Sequence, residues 1–283
     1  ENYRSRLVAQ EVRNKSEGGL FAATPPLETL KVLISVFVSE VYDDKGKRRS
    51  SEDSARMGIM LIDIKRAHFY APAQRELFVD LPPEDPKYND KDTCGLLLQS
   101  LYGTRDASSN WEKEYCRSLA AGGFVRGSAS PCHFWKPSWD VRLLVHGDDF
   151  FAVGPMDGLQ KFRNLMISNY ECKVDCIGVG KNGPKQLRVL GHVITIGEMG
   201  VTYEPDQRHA EAVCRDLGIQ GGNSCATPWQ KEVCASGEAA RNREKRLGKK
   251  YGNDDAEKDE KVEEELEGEE LKRYQSLSTR LNS

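Results

Sequence analysis

The clearest pattern along the chain is an apolar stripe that begins just after Pro25 and Pro26. Its members recur every three or four residues, so they fall on one face of an α-helix. Prolines at the start of such a stripe are typical of a helix N-terminus. We therefore predict a buried packing helix over residues 27–42. The stripe consists of Leu27, Leu30, Leu33, Ile34, Phe37, Val38 and Val41.

Apolar runs of strand length mark the middle of the chain. Residues 57–64 form one run, and residues 141–145 and 150–154 form two more on either side of Gly147. Short apolar runs that flank a glycine-containing turn predict a β-hairpin. Helices interleaved with hairpins, rather than regular βαβ repeats, indicate an α+β fold. The remaining patterns predict a loop over 43–56, strands at 77–81, 187–195 and 200–203, and helices at 110–120 and 159–170.

Three carboxylates stand at the ends of these runs. Asp63 lies near the end of the run 57–64, where a carboxylate is costly unless it is paired, hydrogen-bonded or bound to a metal. Asp148 and Asp149 lie at the tip of the predicted hairpin, where both can approach one cation. Carboxylates that meet from distant segments suit two-metal nucleotidyl transfer. The competing interpretation is that the hairpin acids only stabilise a turn.

Charge is unevenly distributed along the 283 residues, which carry a net charge of −3. Residues 254–270 contain eleven acids and two lysines, a local charge of −9, so the rest of the chain carries +6. A positively charged body fits a phosphate-rich partner. We predict a flexible charged linker over 231–270 in preference to a nucleic-acid clamp, since charge runs of this kind are usually solvated.

Several classes of protein are disfavoured by the same sequence. No apolar run approaches the length that spans a membrane, and there is no cationic and then apolar leader, so we expect neither membrane insertion nor secretion. The eight cysteines lack paired Cys-x-x-Cys spacing, which disfavours zinc and disulfides. The start at Glu1 leads us to expect a segment of a longer polyprotein.

A series of motifs in fixed order resembles the reverse transcriptase of copia-type LTR retrotransposons, over roughly residues 3–230. The central motif is Val-His-Gly-Asp-Asp at 145–149, which matches the catalytic hairpin of that family. The others are Arg-Ser-Arg-Leu-Val-Ala at 4–9, Phe-Ala-Ala-Thr-Pro-Pro-Leu-Glu-Thr at 21–29, Asp-Ile-Lys-Arg-Ala-His-Phe at 63–69, Leu-Tyr-Gly-Thr-Arg at 101–105, Trp111, Leu-Gly-His-Val-Ile at 190–194, the segment 200–209 and Thr-Pro at 227–228.

The resemblance implies a right-hand polymerase with fingers, palm and thumb, in which an antiparallel palm sheet packs on helices. Fingers, palm and the start of the thumb would occupy residues 1–230, the charged linker 231–270, and the start of a post-thumb segment 271–283. It implies an intracellular RNA-directed DNA polymerase, in a cytoplasmic particle or the nucleus. Its partners would be an RNA or DNA template with a primer, dNTPs and other segments of the polyprotein. Two Mg²⁺ ions, or Mn²⁺, would be held by Asp63, Asp148 and Asp149.

The resemblance also implies a set of substrate-binding residues. Arg6 would contact the phosphates of the incoming nucleotide, and the backbone of Ile64 would lie beside its triphosphate. Tyr102 and Gly103 would pack near the templating base and the nucleotide. His68 stands where the family usually has a Phe that excludes a 2′-hydroxyl, which puts selection against ribonucleotides in question.

An inactive relic that only binds nucleic acid is the alternative to an active polymerase. His68 favours it, as does Gly147, which stands where the family usually has Val or Met. Because glycine is conformationally permissive, we expect Gly147 to loosen the hairpin. All three carboxylates are present, which favours an active enzyme.

Overall fold

A computed structural model describes residues 7–11, 22–43, 45–47, 57–90, 92–178 and 184–218. The chain divides into two compact units, Glu1–Pro205 and Asp206–Ser283, and only residues 206–218 of the second are described. The predicted domain boundaries at residues 230 and 270 lie outside the described residues.

Four α-helices occur in the part of the chain that is described. Helix α1 spans Leu27–Val41, as the apolar stripe predicts, and α2 spans Ala107–Ala121. Helix α3 spans Met156–Asn169, and α4 of the second unit spans Gln207–Asp216. The Asp206 side chain caps α4 by accepting a hydrogen bond from the Arg208 backbone N–H. None of the helices among the described residues is both long enough and apolar enough to span a bilayer.

The main sheet has six antiparallel strands, which lie side by side in the order β4 (Val125–Arg126), β5 (His133–Lys136), β6 (Val141–His146), β7 (Asp149–Pro155), β1 (Met57–Ile64) and β8 (Cys172–Gly178). Strand β1 and the hairpin partners β6 and β7 lie where the sequence predicts them. The strands of the two smaller sheets are β2 Phe78–Val79 and β3 Gly95–Leu96, and β9 Gln186–Val189, β10 His192–Ile196 and β11 Val201–Pro205.

Both faces of this sheet are covered by apolar side chains. Ile59, Leu61 and Phe151 belong to one core cluster, which also contains residues of α1 and of β9 and β10. Ile62 and Phe150 belong to the second, which contains residues of α2 and α3. Successive side chains of a strand point to opposite faces, which explains how neighbours such as Phe150 and Phe151 enter different clusters. The α+β class, with an antiparallel sheet packed on helices, is confirmed.

Two features of the sheets differ from the sequence-based expectation. The region 187–203 forms three strands rather than two, because the chain turns at Leu190 and Gly191, both with positive φ (47° and 71°). Strand β8 was not predicted, although it pairs with β1 along its whole length. Cys172, Val174 and Cys176 alternate with Lys173 and Asp175, a strand pattern that the sequence-based prediction missed.

Candidate active site

The three predicted carboxylates lie at one end of the central strands. Asp63 on β1 is the register partner of Asp149 on β7, and Asp148 occupies the turn that precedes β7. The Ile64 backbone N–H donates to the Asp148 carbonyl oxygen at 3.0 Å, which joins the end of β1 to the hairpin. Asp63 and Asp148, which are 85 positions apart in the sequence, thus lie at the same end of the central strands. The Ile64 N–H, which we expected beside the triphosphate, is therefore already hydrogen-bonded to Asp148.

Negative charge accumulates at this end of the strands. Burial, and then the Asp148 and Asp63 carboxylates, raise the pKa of Asp149 to about 6. The pKa of Asp63 is raised by burial and by Asp148, while Lys173 acts in the opposite direction. Lys173 is the register partner of Asp63 on β8, but its ammonium group is 2.6 Å from Asp175. A cation at this end of the strands would relieve the repulsion between the carboxylates.

The carboxylates provide suitable oxygen ligands for a hard divalent cation. Their side chains are not yet arranged around one point, since no group of three His, Cys, Asp or Glu residues in the described ranges has the spacing of a metal site. Metal binding at Asp63, Asp148 and Asp149 would therefore require these carboxylates to move closer together.

Gly147 determines the geometry of the turn. Its φ is +64°, whereas Asp148 does not take a positive φ. A glycine at the first central position of a two-residue hairpin loop is the pattern of a type II′ turn, which fits the twist of the strands. Glycine adopts this φ without strain, so Gly147 favours the turn. The φ of Gly147 thus fits the turn, and the expectation that glycine loosens the hairpin stays a prediction.

His68 and Tyr102 form an aromatic contact close to the carboxylates. Their ring centroids are 4.4 Å apart, and Phe69 meets the edge of the same tyrosine ring at 5.6 Å. The buried Nδ1 atom of His68 has no hydrogen-bond partner within the described structure. Burial lowers the pKa of His68, and the Asp148 carboxylate partly opposes this. His68 and Tyr102, each of which the resemblance assigns to the nucleotide site, are thus brought together.

Gly103 has a structural reason to be glycine. Its φ is +90°, and a Cβ atom there would lie 1.8 Å from the Ala9 carbonyl oxygen. The Ala9 N–H in turn donates to the Tyr102 carbonyl oxygen at 2.7 Å. Gly103 therefore allows the segment 7–11 to lie against residues 102–103. Arg6, the predicted phosphate ligand, lies outside the described residues.

Glu171 is a neighbour of the site that the sequence did not reveal. Its carboxylate contacts the Lys65 ammonium at 2.9 Å and the Arg66 guanidinium at 2.5 Å. These contacts lower the pKa of Glu171. The Lys65 N–H also donates to the Glu171 carbonyl oxygen at 2.9 Å, so the two segments are joined through backbone and side chains. No local motif marks Glu171, because its partners are more than one hundred residues away.

Comparison with known proteins shows a distant relative. No family model matches the chain. Over 172 residues, or 59% of the chain, it is 20% identical to the retrovirus-related Pol polyprotein from transposon TNT 1-94 of Nicotiana tabacum. The chain is similar to part of a retrotransposon Pol polyprotein. The match spans only 12% of the length of that polyprotein.

Two solved structures show a weak overall similarity. Apo telomerase from Candida tropicalis, truncated from its C-terminal domain, aligns with 65% of this chain and 41% of its own at 12% identity and a TM-score of 0.35. Telomerase from Candida albicans in complex with the TWJ fragment of telomeric RNA aligns with 69% of this chain and 39% of its own, at 12% identity and a TM-score of 0.31. TM-scores below 0.5 do not establish a common fold.

Proposed function

We propose that this chain is the RNA-directed DNA polymerase segment of a copia-type retrotransposon Pol polyprotein. It would transfer nucleotides from dNTPs to the 3′-hydroxyl of a primer paired with an RNA or DNA template. The observation that supports this best is the placement of Asp63 opposite Asp149, with Asp148 in the adjoining turn. The partial match to a transposon Pol polyprotein supports the same assignment.

The proposal includes two Mg²⁺ ions, or Mn²⁺, held by Asp63, Asp148 and Asp149. Bound there, they would lower the pKa of the primer hydroxyl and neutralise charge on the leaving pyrophosphate. The pKa values of Asp63 and Asp149 are raised by burial and by the neighbouring carboxylates, and for Asp63 the charges of Lys173 and Lys65 only partly oppose this. We assign Asp148 as the most direct ligand, because it occupies the tip of the hairpin.

The remaining site residues would hold the nucleotide. His68 and Tyr102, whose rings are in contact, would form a wall beside the sugar and the base. Lys65 is exposed and near Asp63, and a triphosphate would compete with Glu171 for its ammonium group, which contacts that carboxylate at 2.9 Å. Arg6 would add a second phosphate contact. We also propose the right-hand arrangement of fingers, palm and thumb, with the six-stranded sheet as the palm, and contacts with other segments of the polyprotein.

Primer extension tests this proposal. The full chain is given poly(rA)·oligo(dT), dTTP and Mg²⁺, and is compared with Asp148→Asn and with the control Asp157→Asn. Asp157 is exposed on α3 and contacts Lys161 at 3.5 Å, so its loss should leave extension unchanged. Removing Asp148 should reduce extension by at least about a hundredfold, since a metal ligand acts mainly in the transition state.

The result also separates the two interpretations of the sequence. Extension by the wild type and the control, but not by Asp148→Asn, would establish a metal-dependent polymerase. Binding of the template and primer without any extension would favour the inactive relic. Equal extension by Asp148→Asn would refute the assignment of the three carboxylates.

A further inference from the structure

The turn that carries the carboxylates is held from two sides. On one side, the Ile64 N–H donates to the Asp148 carbonyl oxygen at 3.0 Å. On the other, the Trp111 indole N–H donates to the Gly147 carbonyl oxygen at 2.9 Å. Both central residues of the turn therefore have their carbonyl groups bound, one by strand β1 and the other by helix α2.

Trp111 is well suited to hold the turn in one place. Its side chain is only 2% exposed. Its ring makes edge contacts with Tyr170 at 5.3 Å, Tyr115 at 5.6 Å and Phe150 at 6.3 Å. A ring packed on three sides has little freedom to change rotamer, so the direction of its N–H is fixed. Phe150 directly follows the carboxylate pair, so the same ring also packs behind β7.

Gly147 itself has few restraints from side chains. The position that a Cβ atom would occupy has no other atom within 4 Å. A glycine with φ of +64° has no side chain to limit its backbone, and glycine has the widest conformational freedom of all residues. An added hydrogen bond at its carbonyl therefore restricts the turn where packing does not.

We infer that Trp111 is a positioning residue for the carboxylate pair: its indole N–H, by binding the Gly147 carbonyl, sets where Asp148 and Asp149 lie relative to Asp63. Trp111 does not reach the reacting atoms in this role. Its effect on catalysis rests on the proposed function, whereas its effect on the turn does not.

Replacing the donor while keeping the ring tests this inference. Trp111→Phe removes the N–H and part of the ring, and a chain with 3-benzothienylalanine in place of Trp111 keeps the bicyclic shape but has sulfur instead of N–H. Trp135→Phe is the control, because Trp135 is 46% exposed on β5. Hydrogen exchange is followed in peptides that cover residues 144–151 and, separately, in β1 and β8.

Loss of one hydrogen bond should accelerate exchange at the tip by about tenfold in both Trp111 variants, but not in the control. Exchange in β1 and β8 should stay within about twofold of the wild type, since a local opening leaves the rest of the sheet intact. Unchanged exchange at the tip in the benzothienyl chain would overturn the inference. A uniform increase across all three regions would also overturn it, by showing that Trp111 only stabilises the core.

Primer extension adds a readout that a purely structural role would not change. The Mg²⁺ concentration for half-maximal extension should rise about threefold to tenfold in the benzothienyl chain, while the KM for dTTP changes by less than about twofold. If the wild type itself does not extend primers, the proposed function fails, and the exchange measurement still decides the role of Trp111.

Discussion

Asp63 and Asp149 face each other across neighbouring antiparallel strands, and the pKa of each is raised above its ordinary value. Like charges directly opposite each other destabilise a sheet. These two carboxylates therefore lower the stability of the folded state at the place where a polymerase would need a divalent cation. This relationship leads to a first prediction about pH.

We expect Asp149→Asn to stabilise the chain at pH 7.5 but not at pH 4. The folded pKa of Asp149 is about 6, against an ordinary value of 3.8, so the folded state binds more protons between these values. Stability due to this residue therefore falls as the pH rises from about 4 to about 7. The gain in Asp149→Asn should be about 1 kcal/mol at pH 7.5, after allowance for solvent screening.

Thermal unfolding at several pH values, with and without Mg²⁺, measures this difference. Added Mg²⁺ should stabilise the wild type more than Asp149→Asn, because a ligand stabilises the state that binds it. A variant less stable than the wild type at pH 7.5 would contradict the prediction.

Two glycines with positive φ should respond differently to alanine. Gly147→Ala meets no atom within 4 Å, so it should cost only backbone strain, about 1 kcal/mol. Gly103→Ala places its Cβ 1.8 Å from the Ala9 carbonyl oxygen and must displace the segment 7–11, so it should lower the free energy of unfolding by roughly 2–4 kcal/mol.

Denaturant unfolding compares the stability of the two variants. Limited proteolysis near residue 9 should be faster only in Gly103→Ala, and equal costs would argue against close packing of that segment.

Arg75 should be essential for stability although it lies outside the site. It binds Glu11 and Asp106, and the Asp106 side chain is only 5% exposed. Arg75→Gln would leave that carboxylate without its cation, at a cost of about 3 kcal/mol. Because Arg75 lowers the pKa of Asp106, the pair contributes fully above the ordinary pKa of an Asp, and this contribution is lost as the pH falls through the lower folded value.

Acid unfolding of wild type, Arg75→Gln and the exposed-pair control Lys161→Gln tests the role of Arg75. Wild type should lose more stability than Arg75→Gln between pH 5 and pH 2. The Lys161→Gln variant should behave like wild type, because Asp157, the partner of Lys161, is 72% exposed. Parallel acid curves for all three would show that Asp106 does not depend on Arg75.

His68→Phe should change sugar selection, if the proposed function holds. The imidazole is smaller than a phenyl ring, and its buried Nδ1 has no hydrogen-bond partner in the described structure. Phenylalanine would remove this polar atom and fill more space beside Tyr102. We expect the ratio of kcat/KM for dTTP over UTP to rise by about tenfold or more. Single-nucleotide incorporation with both substrates measures the ratio, and an unchanged ratio would place the sugar elsewhere.

Local sequence determined the elements that carry the carboxylates. The run that ends near Asp63 is apolar at nearly every position, and its bounds as β1 agree with the prediction because a strand buried on both faces has that composition. The hairpin was predictable because Gly147 marks the turn between two apolar runs. Helix α1 followed from its 3.6-residue stripe.

Only the tertiary structure decided how these elements meet. Several contacts join residues that are 36 or more positions apart in the sequence. These are the pairing of β8 with β1, the contacts of Glu171 with Lys65 and Arg66, and the hydrogen bond from Trp111 to Gly147. A local pattern records which face of an element is apolar, but it does not record which distant polar group lies opposite. The three carboxylates could therefore be named from the sequence, whereas the pairing of Asp63 with Asp149 and the restraints on the turn depend on the packing of the whole sheet.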